Sequence, residues 1–573
     1  MAPAENITNK VFIPAFFAVF LITVTANAGP NWINHGGDLR NRRYAEGEVK
    51  ISPKTVSKLQ LKWKFFAGKD ITATPAIFDG VLYFPSWNGN VYAVRAKDGS
   101  LVWEKNLSEL TGLNATGLIA NTNSTVARAT PTIAGDLLIV GIYGPAVVIA
   151  MERANGKLVW LTKVDDHPLA LITMSGTAYN GLLFLVPPHI LHLMELSLHS
   201  PVIPTAGLNI ASNYSFDSLH ILLGFYVGTS SFEEGASVQD CCVFRGSLAK
   251  LDIRTGAIIW KTHVLPDNGG KPGGYAGAAI WGSSPSIDKP RNLVFAATGN
   301  LYSAPQRVLD CQRRANNQTT RPDECIEDVN HGNSILAFDL DSGKIRWFRQ
   351  LGGYDVYFED CSNVSKPGCP PGPNPDADFG EAPMMLSVRG KSGVRDVVVA
   401  VQKSGIAWAL DRGDGKIVWY TKAGPGGIAG GGTWGAATDG KRVYTNIANS
   451  NGISFKLTPS NINTTAGAWV AMDAATGKII WSIANPRYFP SNAPVTVANG
   501  VLFAGSPDPL GAFFAMDAST GRILWSYNTN ATIYGGASIS HGCVYLGNGY
   551  KVNLGASFPI VTAGTSLFAF CAP

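Results

Sequence analysis

Apolar and polar positions along the chain fall in short, often alternating runs separated by glycine turns, without the sustained three-to-four spacing of amphipathic helices. One phrase carries the pattern. Ala471-Met472-Asp473 leads into Thr476-Gly477-Lys478-Ile479-Ile480-Trp481, an apolar strand, a turn, and a second strand ending in tryptophan. The phrase recurs at Asp98-Gly99 with Trp103, Asn155-Gly156 with Trp160, Thr255-Gly256 with Trp260, Ser342-Gly343 with Trp347, Asp414-Gly415 with Trp419 and Thr520-Gly521 with Trp525. A polar residue followed by Gly between two alternating strands signals a hairpin, because Gly supplies the positive φ of the turn. Each unit holds roughly four strands, too few to bury both faces alone, so successive units must stack on one another. Trp63 ends an early strand that lacks its own hairpin, and the strands Gly542–Leu546 and Ser566–Phe570 lack a terminal Trp. Joined, the two chain ends complete one more blade. The pattern predicts an all-β fold, an eight-bladed β-propeller with tryptophan-docking repeats, its ring closed by N- and C-terminal strands.

Residues 29–57 read as an extended lead-in. Blade spacing is irregular, which places insertions in loops. A polar loop at 301–331 holds Cys311 and Cys325, and a Pro/Gly/Asp-rich loop at 361–380 holds Cys361 and Cys369. Each pair could close its own loop, and Cys543 could tie the last blade to Cys571; sequence alone leaves the connectivity open. Residues 182–224 break the pattern. Trp160 and Trp260 are 100 residues apart, against 57 for Trp103 and Trp160. Without this stretch, Thr177-Ala178-Tyr179-Asn180-Gly181 would pair directly with Phe225-Tyr226-Val227-Gly228. His189 and His192 lie in it, with no third ligand placed to complete a metal site. A long apolar connection without turn chemistry is out of place in a compact domain, so the stretch reads as a translated non-coding insertion or a disordered flap.

Composition narrows the class. A repeat this regular turns 573 residues into one large body, 29–573, rather than several domains. A net charge of +5, without a Lys/Arg-rich run, leaves nucleic-acid binding no electrostatic footprint. Residues 11–24 are apolar, follow Lys10 and precede Ala26-Asn27-Ala28, which reads as a signal peptide over 1–28 and not as a stable membrane span. Eight cysteines suit an oxidising compartment. Sequons at Asn106, Asn114, Asn123, Asn317, Asn363, Asn463 and Asn530 are compatible with a secreted glycoprotein.

A set of residues just after inner strands exceeds what hairpins and packing require: Arg128, Thr173, Ser230, Glu233-Glu234, Cys241-Cys242, Trp281, Asn300, Asp355 and Lys403. Such strand ends converge on the central channel of a propeller. The phrases Val227-Gly228-Thr229-Ser230-Ser231-Phe232-Glu233-Glu234, Cys241-Cys242-Val243-Phe244-Arg245-Gly246-Ser247, Ala297-Thr298-Gly299-Asn300 and Val401-Gln402-Lys403-Ser404-Gly405 resemble the quinoprotein alcohol dehydrogenases, in particular their polyvinyl-alcohol-dehydrogenase-like branch. Apart from 182–224 the resemblance covers nearly all of the mature chain.

The resemblance implies an oxidoreductase that passes hydride from an alcohol to calcium-bound pyrroloquinoline quinone (PQQ). It implies Glu233, with Glu234 as neighbouring candidate, Asn300 and Asp355 at the cation, and Asp355 as catalytic base. It places Lys403 on the quinone's reactive carbonyl, Trp281 flat beneath the ring, Arg128 on a cofactor carboxylate, and Thr173 and Ser230 as hydroxyl contacts. The chemistry suits these residue types. Calcium takes oxygen ligands, a carboxylate can accept the alcohol's proton, cations answer the cofactor's carboxylates, and Trp offers a broad flat face. Cys241 and Cys242 would form a vicinal disulfide over the cofactor, or else stay separate thiols or bridge to distant partners. No Cys-x-x-Cys-His occurs, so electrons would leave to an external acceptor. The substrate would be a small or polymeric alcohol. The competing reading is a non-catalytic propeller that serves as a scaffold or binding protein.

Overall fold

A computed structural model describes residues 31–573 apart from 117–121, 183–220, 283, 316–323, 364, 391–392, 553–554 and 556–559. The leader expected at 1–28, nearly all of the aberrant stretch, and the Asn317 sequon lie outside the described residues. Eight antiparallel four-stranded sheets are arranged as blades. The first complete blade runs Ala76–Phe78, Val81–Pro85, Asn90–Arg95 and Leu101–Asn106. The last joins Ser538–Ser540, Cys543–Gly547 and Ser566–Cys571 to Gln60–Phe66 from the other end of the chain, with Gln60 opposite Cys571 and Phe66 opposite Ser566. The expected ring closure is the one observed. The strands flanking the aberrant stretch pair Thr177 with Tyr226 and Leu182 with Ile221. Among the described residues no helix is long and apolar enough to cross a membrane.

The repeated phrase makes two bonds at once. In its turn, Asp473 Oδ1 accepts the N–H groups of Ala475 and Thr476, and Gly477 at φ +72° allows the chain to reverse. A bulge between Ala471 and Met472 follows, which twists the outer strand. The terminal Trp then reaches the next blade. Trp419 Nε1 donates to Ala474 O at 3.0 Å, and a Cβ on Gly477 would lie 2.5 Å from the Trp419 ring. Glycine is therefore needed for both the turn and the ring that covers it. All eight tryptophans donate in this way: Trp63 to Ala96 O at 3.1 Å, Trp103 to Arg153 O at 3.0 Å, and so on round to Trp525 and Leu59 O at 3.2 Å.

The lead-in has a role its sequence did not suggest. Trp32 exchanges two backbone hydrogen bonds with Ile77, Ile33 O accepts from Ile133 N, and Asn34 Nδ2 donates to Thr177 Oγ1. Farther on, the oxygens of Leu39, Arg40, Arg42 and Arg43 accept from Ile287, Met385, Thr438 and Val497. Arg43, fully buried, also donates to Ala537 O beside the last blade. Residues 32–43 thus touch the innermost strand region of every blade and plug the channel. The cysteines pair as the loops suggested, Cys311–Cys325, Cys361–Cys369 and Cys543–Cys571, with Cys241–Cys242 vicinal.

Candidate functional site

Loops joined to the inner strands carry the polar residues to one end of the plugged channel. Asp378 sits at its centre: Oδ1 accepts Asn300 N at 2.5 Å, Oδ2 accepts Trp281 Nε1 at 3.0 Å and lies 3.1 Å from Lys403 Nζ. Lys403 also donates to Asp376 Oδ1 at 2.8 Å. Oxygens of Glu234, Asp376 and Asp378 lie within 4.8 Å of one another. Asn300 is buried, and its amide nitrogen donates to Leu301 O and Tyr357 O, which leaves Oδ1 outside those bonds. Glu234 makes no hydrogen bond or ion pair among the described residues.

The electrostatics follow from three acids sharing a small space. Burial, with Asp378 next in importance, pushes the Glu234 carboxyl up to about 8. Burial also raises Asp376 well above the usual carboxylate range, against the pull of Lys403. Burial opposes the charge on Lys403, but Asp376 and Asp378 override it and hold the ammonium well above its ordinary range. Charges of one sign crowded in a low-dielectric setting are stable only with a counter-charge, so the set favours a bound cation.

The two acids that the resemblance puts first stand behind this cluster. Glu233 accepts from Val243 N and Phe244 N, both at 2.8 Å, and lies 3.3 Å from His167 Nε2. Asp355 accepts from Asn333 Nδ2 at 2.8 Å, Ala377 N at 2.7 Å and Asp376 N at 3.2 Å. Burial pushes Asp355 up to about 6, held back by those N–H groups. With both oxygens occupied, Glu233 and Asp355 fasten loops, and their neighbours in sequence or space face the cluster. Asp376 and Asp378 were missed because they sit in a Pro/Gly-rich loop where acids are common. Their one signal was the alternation Asp376-Ala377-Asp378.

The remaining candidates line the space beside the cluster. Thr173 Oγ1 is 3.0 Å from Ser230 Oγ and donates to Trp281 O at 2.9 Å. Lys403 Nζ lies 5.3 Å from the Trp281 ring centroid. Arg128 is buried over Trp434 at 4.2 Å, with Tyr143 and Tyr550 also in contact and no carboxylate in ion-pair reach among the described residues. Trp434 holds φ +66°, rare for a bulky side chain. It is braced by its Nε1 bond to Tyr534 Oη at 2.9 Å and by His35 Nε2 on its carbonyl at 2.5 Å. Arg128, Thr173, Trp434 and Tyr534 border a small cavity, with His35 of the plug also in its lining. The Cys241–Cys242 disulfide instead touches Tyr302 O and Glu233 O.

The sequence model of the family described as "Outer membrane protein assembly factor BamB" (PQQ_2) matches residues 54–199 and 403–554, just over half of the chain. Two polyvinylalcohol dehydrogenases, from Pseudomonas sp. and Sphingopyxis sp. (strain 113P3), are each 26% identical to it over 83% and 85% of its length. The chain belongs to this PQQ_2 family. It spans 64% and 65% of those two relatives. In fold it is similar to the quinohemoprotein alcohol dehydrogenase of Comamonas testosteroni, with TM-score 0.66, 18% identity, and 95% and 80% of the two chains covered. A europium-containing methanol dehydrogenase gives TM-score 0.63 and 17% identity over 95% and 98%.

The residues of this family member fit the group its relatives' fold implies. A guanidinium without a carboxylate partner among the described residues suits an anionic ligand, and all-oxygen donors at Glu234, Asp376, Asp378 and Asn300 suit a hard cation.

Proposed function

We propose that the protein is a quinoprotein oxidoreductase that oxidises an alcohol to a carbonyl, using PQQ and a hard cation at the channel mouth. The observation that carries this reading is the convergence of Glu234, Asp376, Asp378, Asn300, Lys403 and Trp281 from loops far apart in the chain. Glu234, Asp378 and the Asn300 amide oxygen would hold the cation, calcium or, given three carboxylates, a trivalent lanthanide. Trp281 would support the ring, Lys403 would face its polar edge, and Arg128, Thr173 and Ser230 would hold its polar substituents. When bound, such a quinone beside its cation accepts hydride.

Asp376 is the proposed base. It lies at the cluster and has an oxygen free of the Lys403 bond, whereas the oxygens of Asp355 are taken by three N–H groups. Asp376 would accept the hydroxyl proton of the alcohol, and Lys403 beside it would steady the carboxylate in position. The substrate would be a small or polymeric alcohol, and the electron acceptor would be external. Secretion is proposed from the leader at 1–28.

The test is reconstitution of the full mature chain with PQQ and either calcium or a lanthanide, followed by quinone absorbance and dye-coupled alcohol oxidation. Bound quinone and turnover that Asp376→Asn removes are expected. Absence of quinone binding under both cations would sink the reading in favour of a scaffold.

A further inference from the structure

Glu233 and Glu234 share the single turn Phe232–Gly235, yet they serve different neighbours. Glu234 faces Asp376 and Asp378. Glu233, 3% exposed, points to the segment that follows the vicinal disulfide and takes the N–H groups of Val243 and Phe244, one on each oxygen. Its own carbonyl lies 4.0 Å from Cys242 Sγ. The turn is hung at its start as well: Phe232 N donates to Leu169 O at 2.9 Å, and Glu233 N donates to Ser231 Oγ at 2.9 Å. His167 completes the arrangement. Its Nδ1 accepts from Leu169 N at 3.2 Å, so the neutral ring carries its proton on Nε2, toward Glu233. The His167 ring also meets Phe244 edge-on at 5.7 Å.

We propose that Glu233 is a positioning residue. It ties the Cys241–Cys242 loop to the Phe232–Gly235 turn and thereby presents Glu234 to the cation, without ligating the cation itself. The proposal rests on the cation reading of the cluster. Its physical basis is satisfaction. Turning Glu233 to the cation would strip acceptors from two N–H groups beside the buried Cys242 and Phe244, and buried donors are rarely left unmade. Asp355 provides a parallel, since it holds the N–H groups of Asp376 and Ala377 and so aims the opposite side of the same cluster. Groups that orient ligands in this way typically change metal affinity by about 10–100-fold when altered.

Two readouts on the full mature chain separate the possibilities. Terbium titration of chelator-treated protein, with emission excited through tryptophan, reports the cluster, because Trp281 donates to Asp378. The rate at which a small thiol reduces Cys241–Cys242, followed by alkylation and mass spectrometry, reports the loop without any cation. Glu234→Gln is expected to weaken terbium by about 100-fold or more and to leave reduction unchanged. Glu233→Gln is expected to keep one terbium per chain, weaken it about 10-fold, and speed reduction several-fold, since one of its two terminal atoms can no longer accept. His167→Phe, which spares Glu233, is expected to act in the same direction more weakly. Glu233→Gln that abolishes terbium while reduction stays slow would make Glu233 a ligand and overturn the proposal, as would no change in either readout. A wild-type protein without sensitised emission would fail the cation reading instead, and the reduction rates would still decide whether Glu233 fastens the loop.

Discussion

Around the outside of the ring one contact is made eight times; at the channel mouth each blade contributes something different. Trp103, Trp160 and Trp419 all donate to a backbone carbonyl of the next blade at 2.8–3.0 Å. At the mouth, the second strand of one blade leads to Asn300, that of the next blade leads to Lys403, and the connection between these two blades carries Asp376 and Asp378. The girdle tolerates irregular connections because its strength comes from repetition, and the mouth can vary because the girdle fixes where each loop begins. Strain follows the same division. Positive φ in the girdle falls mostly on glycine and asparagine, whereas Trp434 adopts it beside the cavity.

The sharpest break between the two regions comes from removing the base. Asp376→Asn is expected to lower the turnover of reconstituted enzyme by about 10²–10⁴-fold, with the unfolding transition nearly unmoved. The opposite result is expected in the girdle. Trp481→Ala removes a buried ring and its bond to Ala518 O, and should cost about 3–5 kcal/mol in denaturant unfolding while activity per folded molecule persists. Asp355→Asn falls between the two. It leaves the cluster's own oxygens in place but loses an acceptor for loop N–H groups, costing about 1–3 kcal/mol and part of the activity.

A pH dependence is expected at the plug. Burial, with Arg43 next, lowers His35 from 6.5 to about 3. The unfolded chain therefore binds the extra proton first, so stability is full above pH 6.5 and declines as pH falls from there toward 3. Melting temperatures of His35→Gln should show a shallower decline across that window than those of the native chain. Equal slopes would mean that the plug does not sense the proton.

The fold was legible because its information is local. Asp473, Gly477 and Trp481 state the turn's anchor, the turn and the docking ring within a few residues of one another, and the missing Trp at the C-terminus announced the closure. The site was legible only in outline. Trp281, Asn300, Lys403, Thr173 and Ser230 come together at the mouth, yet the choice between Glu233 and Glu234 could not be read from spacing. Both carboxylates are equally good oxygen donors, and what separates them is which one Val243, Phe244 and His167 occupy. The same holds for Asp355 and Asp376.

The sequence by itself determined that the chain is a ring of eight hairpin-bearing blades, because strand period, turn glycine and docking tryptophan are each set by neighbours along the chain. It also marked the cysteine pairs that close single loops. Only the tertiary structure decided which acids face the channel, that residues 32–43 plug its other end, and that Arg128 lies among aromatic rings with no carboxylate in ion-pair reach among the described residues. These depend on hydrogen-bond donors brought from distant blades, and a carboxylate turns toward whichever donors folding places beside it.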